Sequence, residues 1–542
     1  MQPETIVLAE EPDEEGQASM RHDRQTYAFL ASLVGAVVAG AVLVAATPAP
    51  WAAAAGTPCA SLASDAFSGA KVSGARLIAA DPAKALPAYC EVTAIASSTP
   101  GSHIGVILRL PEGWNGKLLG VGGGGWAGNV TLDAAAEGLA KGYAVAETDT
   151  GHPSPNALDM SWALAANGGV DQDAMTDFGW RAVHLMTVFG KQVLGAYYGK
   201  APAQSYFQGC STGGRQGMME AQRFPDDYDG VISGDPVYDY TVQTSAVVRT
   251  QIFHADPESN LEPAQAELLN KAVLEACDGL DGLKDGIVTD PRVCRFDPKV
   301  LQCKPGQAPP QCLTAKQTDT VSKAYAGLKT ADGRVVAWPL MRGGELDWIG
   351  RSIGNPRAPL GLNAALGSRA LQVAVYADPQ RNLMSLSPEA MLRDIAASPY
   401  TPVYEAKDPD ISKFAARGGK LLLYHGIYDP GPSVLGTIKY FEAARAAMGR
   451  RSGQAQLFLV PGMYHCRGGP GPDRFDSLDA LDRWVTTSAP PKMIPAANAG
   501  SGLQRPLCPY PALAAYVGKG DPKALASFAC RAHGRHGASP SS

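Results

Sequence analysis

Gly209-Cys210-Ser211-Thr212-Gly213 is a G-x-S-x-G, and its flanks decide what it means. Ser205 to Gln208 reads as a short strand, and Gly213 to Arg223 reads as a helix. A serine between small residues at a strand-to-helix turn stands exposed at the carboxyl edge of a sheet. The helix behind it aims free N–H groups and its positive dipole end at the same place. The rest of the chain must then supply a sheet whose strands end together.

It does. Residues 104–110 and 118–121 read as strands around a turn, Leu132 to Ala140 as a helix, and Tyr143 to Glu147 as a strand. Phe178 to Tyr198 reads as a long helix, with Leu185, Phe189, Val193 and Tyr197 on one face. Val231 to Ser233, Lys420 to Tyr424 and Gln456 to Val460 are further strands. Val434 to Met448 and Ser477 to Thr487 are further helices. The alternation predicts an α/β fold, a parallel sheet covered on both faces. From Tyr238 to Ala416 the rhythm breaks into helical patches, Pro/Gly-rich stretches and four cysteines, which predicts an inserted domain at 238–416. It divides a core read as 56–237 and 417–542.

In this fold an elbow serine takes its partners in the chain order acid, then histidine. Asp429 follows strand 420–424, and His465 follows strand 456–460 through Pro461-Gly462-Met463-Tyr464. His425 competes as a base, but no credible acid would remain between it and Ser211 in the expected topology. The glycine run Gly120 to Gly125 before Trp126 also follows a strand. It contains G-x-G-x-x-G with Glu147 about 20 residues on, so a dinucleotide-binding oxidoreductase is one alternative. Beside a serine elbow the run fits better as an oxyanion loop, a backbone N–H near Gly125 joining that of Thr212. Each such donor lowers the barrier by roughly 2.7–4 kcal/mol. Trp126 is the candidate wall of a substrate pocket.

Ten cysteines follow residue 55 and none forms a CxxC. An uncharged stretch, Ala28 to Ala46, follows Arg21 and Arg24 and precedes a run of small residues, Ala52 to Gly56. Residues 1–55 read as a secretory signal with a possible true start at Met20; a retained membrane anchor is the alternative. In an exported chain an even cysteine count predicts five disulfides. Proximity suggests Cys59 with Cys90, Cys277 with Cys294, Cys303 with Cys312 and Cys508 with Cys530. Cys210 and Cys466 remain, beside Ser211 and His465. The expected location is secreted or periplasmic, with no stable membrane partner once the signal is cleaved. Seven acids and two bases in residues 1–55 account for the whole net charge of −5, which leaves 45 of each sign beyond. No basic run interleaves with aromatics, so nucleic acid is not an expected partner.

Asp278, Asp281 and Asp285 crowd into eight residues with glycines between them. A hard cation such as structural Ca²⁺ relieves their repulsion, and the carbonyls of Leu283 and Ile287 can complete its shell. A calcium-stabilised extracellular binding protein with an inactive elbow is therefore a second alternative.

Gly-Cys-Ser-Thr-Gly-Gly-Arg-Gln-Gly (209–217), Arg-Phe-Pro-Asp-Asp-Tyr-Asp-Gly (223–230), Tyr-His-Gly-x-x-Asp (424–429) and Pro-Gly-Met-x-His-Cys (461–466) resemble the tannase/feruloyl esterase family. The acidic loop 278–287 and Leu-Cys-Pro-Tyr-Pro (507–511) match it too. The resemblance implies an α/β-hydrolase core with a large lid inserted after the sheet's sixth strand. It implies Ser211 as nucleophile, Asp429 as orienting acid, His465 as base, a Cys210–Cys466 bridge and oxyanion donors at Gly125 and Thr212. It also implies Ca²⁺ on Asp278, Asp281, Leu283, Asp285 and Ile287, no organic cofactor, and a small aromatic ester as substrate. A terephthalate-monoester hydrolase of this family uses a lid arginine for the substrate carboxylate; Arg351, Arg357 and Arg369 lie in that region.

Overall fold

Neighbouring residues of the buried strands belong to different apolar clusters, and that alternation builds the central layer. Leu118, Ala146, Phe207, Val231, Leu421 and Leu457 join one cluster; Leu119, Val145, Tyr206, Ile232, Leu422 and Phe458 join another. Successive side chains of a strand point to opposite faces, so these segments need helices on both sides. The computed structural model describes residues 56–355 and 358–532. The expected leader with Met20, and Arg357, lie outside the described residues.

The strands are β1 (Ala70–Ile78), β2 (Tyr89–Ala96), β3 (Ile104–Pro111), β4 (Lys117–Val121), β5 (Ala144–Thr148), β6 (Gln204–Cys210), β7 (Gly230–Gly234), β8 (Lys420–Gly426) and β9 (Ala455–Val460). Their order in the sheet is β1-β2-β3-β5-β4-β6-β7-β8-β9. The strands from β5 to β9 in that order pair in parallel, as the sequence predicts. β1, β2, β3 and β5 pair antiparallel. The links between β1, β2 and β3 are too short for a crossover helix, which forbids parallel pairing there.

The main helices in chain order are α1 (Leu132–Ala140), α2 (Ala182–Tyr198), α3 (Thr212–Arg223), α4 (Thr241–Phe253), α5 (Pro263–Cys277), α6 (Ala315–Ala326), α7 (Leu362–Ala370), α8 (Pro388–Ala397), α9 (Val434–Met448) and α10 (Ser477–Thr487). Leu139 of α1 and Leu481 and Trp484 of α10 cover one face; Phe189 of α2, Met218 of α3 and Phe441 of α9 cover the other. The helix expected from Phe178 begins instead with a π-wound turn, Asp177–Arg181. The buried stripe of α2 runs through Met186, Phe189, Val193 and Leu194, which leaves Leu185 and Tyr197 at its margin.

Between β7 and β8 the chain leaves the main sheet for α4 to α8. It does so after the seventh strand in chain order, one later than the resemblance implies, β1 and β2 forming a hairpin at the sheet's far edge. Val247, Leu371 and Tyr404 of this insertion share an apolar cluster with Trp126 and Phe178, on loops of the core. Residues 54–542 form one unit. Its five bridges are Cys59–Cys90, Cys210–Cys466, Cys277–Cys294, Cys303–Cys312 and Cys508–Cys530. None of its described helices is long and apolar enough to cross a membrane.

Candidate active site

β6 ends at Cys210 and α3 begins at Thr212, so Ser211 alone makes the turn, at φ 63° and ψ −121°. Side chains rarely adopt that backbone, and its neighbours must be small. A Cβ on Gly209 would lie 2.5 Å from the Gly213 carbonyl carbon. The Ser211 N–H donates to the Gly234 carbonyl of β7 at 2.9 Å, which fixes the turn against the next strand. Among the described residues Ser211 Oγ has no hydrogen-bond partner.

Asp429 lies three residues beyond β8 and is buried. Its Oδ1 accepts from the Gly431 N–H and its Oδ2 from His465 Nδ1, both at 2.6 Å. Burial raises the carboxyl's pKa, but the His465 ring, His425 and the Gly431 N–H outweigh it and hold the group below the usual carboxylate range. His465 lies on the loop after β9. With Nδ1 committed to Asp429, its free nitrogen is Nε2, and the ring lines the same cavity as Ser211. The Cys210–Cys466 bridge, Cα–Cα 6.0 Å, joins the residue before Ser211 to the residue after His465. His425 does not compete: it is fully buried, Nδ1 meets Thr437 Oγ1 at 2.9 Å, and it does not line the cavity.

In the glycine loop the Gly123 N–H donates to Gln216 and the Trp126 N–H to Ala157. Among the described residues the N–H groups of Gly125 and Thr212 have no acceptor, and both residues line the cavity. Thr212 Oγ1 donates to the Gly125 carbonyl, which joins the two donors' residues directly. Gly125 has φ +55°, and a Cβ there would meet the Ala157 carbonyl at 2.4 Å.

The cavity that Ser211 and His465 line is also lined by the insertion. Val242, Ala246 and Leu366 of the insertion make it apolar; Gln243, Arg249 and Arg351 bring polar groups. Trp126 lines it while remaining buried against Phe178, ring centroids 5.8 Å apart. Of the arginines named from the sequence, Arg351 lines the cavity and binds Asp347, Nε to Oδ1 at 3.0 Å. Arg369 reaches the Pro379 carbonyl and is not among the lining residues. Sequence reasoning missed Asp235, His425's partner at the end of β7, and Arg249. Asp235's position at a strand's carboxyl end was the available signal.

The acidic loop lies apart from this cavity. Asp278 is turned onto its own loop, accepting from the N–H groups of Asp285, Gly286 and Ile287 at 3.0–3.2 Å. Asp281 accepts from Leu283 N–H and Thr289 Oγ1. Asp285 Oδ2 takes Arg505, while Oδ1 is buried without a hydrogen-bond partner. Burial raises the Asp285 pKa over the opposing effect of Arg505, and Asp281 and Asp278 add to the rise. Among the described residues the carbonyls of Leu283 and Ile287 accept no hydrogen bond. The orphaned oxygen and free carbonyls suit a hard cation. Asp278, Asp281 and Asp285 do not, however, bring oxygens within 4.8 Å of one another as a group.

A twisted, mostly parallel sheet, a strained serine at its central turn and a histidine–carboxylate pair beside it define an α/β-hydrolase. The chain belongs to the tannase and feruloyl esterase family: the profile for tannase and feruloyl esterase matches residues 90–531. It is a carboxylic ester hydrolase. It is 34% identical over 524 residues to mono(2-hydroxyethyl) terephthalate hydrolase of Piscinibacter sakaiensis, an alignment covering 83% of this chain and 86% of that one. Its structure resembles feruloyl esterase B from Aspergillus oryzae at TM-score 0.77 and 25% identity, covering 87% of this chain and 99% of that one. Tannin acyl hydrolase from Aspergillus niger shares the fold at TM-score 0.71 and 21% identity, covering 86% and 92%.

Proposed function

We propose that the chain is an exported serine esterase that cleaves esters of aromatic acids (gallate, hydroxycinnamate or terephthalate-monoester type) through an acyl-serine intermediate. The observation that carries this is the 2.6 Å His465–Asp429 contact on the cavity that also holds Ser211. His465 Nε2 takes the proton of Ser211 as Oγ attacks the ester carbonyl. The amides of Gly125 and Thr212 hold the oxyanion. The alcohol leaves with the proton from His465, and water, activated by the same ring, then frees the acid. The apolar wall of Trp126, Val242, Ala246 and Leu366 suits an aromatic acyl group, and residues 238–416 act as its lid.

By the same reading, Ca²⁺ is held by Asp278, Asp281, Asp285 and the carbonyls of Leu283 and Ile287, supported by the orphaned Asp285 Oδ1. It stabilises the insertion and takes no part in the reaction. Residues 1–55 serve as an export signal, and five disulfides agree with an oxidising compartment. Methyl gallate, methyl ferulate and a terephthalate monoester form the test panel. Wild type hydrolyses at least one of them, and Ser211→Ala loses the rate by at least ~10³-fold. Wild type inactive on all three, or an active Ser211→Ala, refutes the reading.

A further inference from the structure

Behind the histidine–carboxylate pair lies a second acid that the mechanism does not use. Asp235 follows β7 at φ +37° and is fully buried. Its N–H donates to the Tyr424 carbonyl at 3.0 Å, and its Oδ1 accepts from the Gly426 N–H at 2.8 Å. Its Oδ1 is also 3.7 Å from His425 Nε2. Its Oδ2 is 3.6 Å from Cys210 Sγ, and the Cys466 N–H also reaches the carboxyl. Carboxyl atoms of Asp235 and Asp429 and a ring nitrogen of His425 all lie within 4.8 Å of one another. One side chain thus touches the residue before the nucleophile, the residue after the base and the strand that leads to the acid.

Two carboxyl groups this close and this buried cannot both ionise. Asp429 must carry the charge, because each acid accepts backbone N–H groups but only Asp429 also accepts from the His465 ring. The other groups facing the pair do not alter this: His425 is held neutral by burial, Tyr424 is a phenol, Arg249 attracts Asp429, and Asp347, paired with Arg351, faces Asp429 and His465 from the insertion in wild type and Asp235 variants alike. We propose that Asp235 is a neutral carboxylic acid whose O–H donates to Asp429, a positioning residue that sets the orientation and basicity of the Asp429–His465 pair. Burial, then the neighbouring Asp429 charge, push the Asp235 proton affinity well up, in agreement with this geometry.

The inference rests on Ser211, Asp429 and His465 acting as proposed. Asn reproduces a protonated Asp, one oxygen for Gly426 and one donor for Asp429, whereas Ala removes both. The test is the pH dependence of kcat/KM on the best substrate of the panel for wild type, Asp235→Asn and Asp235→Ala. Asp235→Asn keeps the acid limb within ~0.3 pH unit of wild type. Asp235→Ala leaves Asp429 without its donor, strengthens its hold on His465⁺, moves the limb upward by ~0.5 unit or more, and lowers kcat/KM at least ~10-fold. Asn recovers most of that loss. If Asp235 is ionised, Asp235→Asn removes a negative charge near His465 and the limb falls by about 1 unit or more; that overturns the proposal. A limb fixed in both variants, with only thermal stability changed, overturns it too. The Asn variant decides the matter if the Ala variant does not fold. An active Ser211→Ala refutes the reading beneath; an inactive one beside an immobile limb refutes this inference alone.

Discussion

Removing the Cys210–Cys466 bridge should damage stability and catalysis together, and a control bridge separates the two. The bridge closes a sequence separation of 256, whereas Cys303–Cys312 closes 9. In the chain-entropy account of cross-links these correspond to about 5.5 and about 2.6 kcal/mol at 25 °C. At ~2 cal/mol/K per residue, a 542-residue chain unfolds with about 1 kcal/mol/K. C210A/C466A should therefore lower Tm by about 5 °C and C303A/C312A by about 2 °C. The catalytic effect is the sharper contrast. Only the first bridge joins residues adjacent to the proposed nucleophile and base, and a misplacement of ~1 Å there costs roughly 100-fold. Melting curves and kcat on the best ester give both numbers. The reasoning fails if the two variants melt within 1 °C or so of each other, or if C210A/C466A keeps the wild-type kcat.

His425 is neutral in the folded protein because burial, foremost, lowers its pKa to about 4. The unfolded chain binds its proton near pH ~6.5, so this stability is present above that value and is lost as pH falls toward 4. His425→Gln lacks the titration; its Tm difference from wild type should shift by the equivalent of ~3 kcal/mol between pH 7 and pH 4, and a constant difference refutes the assignment. Chelator should lower the wild-type Tm while leaving an Asp285→Asn variant unmoved. Equal wild-type melts with and without chelator would remove the calcium site.

Strand-end residues were legible because their strands are. β6, β8 and β9 are short apolar runs between turn residues, and whatever follows such a run in this fold reaches the carboxyl edge. That places Ser211, Asp429 and His465 on one edge before any coordinates. The β1–β2 hairpin was not legible: β1 alternates poorly, with only Val72 fully buried. The small sheets of the carboxyl-terminal region are built from strands of two to five residues, too short for a period to register. The cavity's insertion wall was hidden for the opposite reason. α4 is buried along almost its whole length, so no polar face tells which of Val242, Gln243, Ala246 and Arg249 look into the site. Asp235 precedes Pro236 with no sequence sign of its partners; the fold brings β8, the bridge and Asp429 to it.

Three strained residues meet at the site. Of the eight non-glycine residues with positive φ among the described residues, Ser211, Asp235 and Cys466 have φ of 63°, 37° and 65°, and each such conformation costs about 1–3 kcal/mol. These three adjoin one another: Ser211 follows one cysteine of the bridge, Cys466 is the other, and Asp235 contacts both. The loop-closure contribution of that bridge, about 5.5 kcal/mol, has the size of their combined strain. A bridge closing an equally long loop elsewhere would stabilise the chain as much without holding these backbones in place. Its position across the elbow and the histidine loop is therefore where cross-linking lets a strained serine, a strained acid and a fixed base coexist. Cutting it should release the strain first at Ser211, which explains why C210A/C466A is expected to lose turnover before it loses its fold.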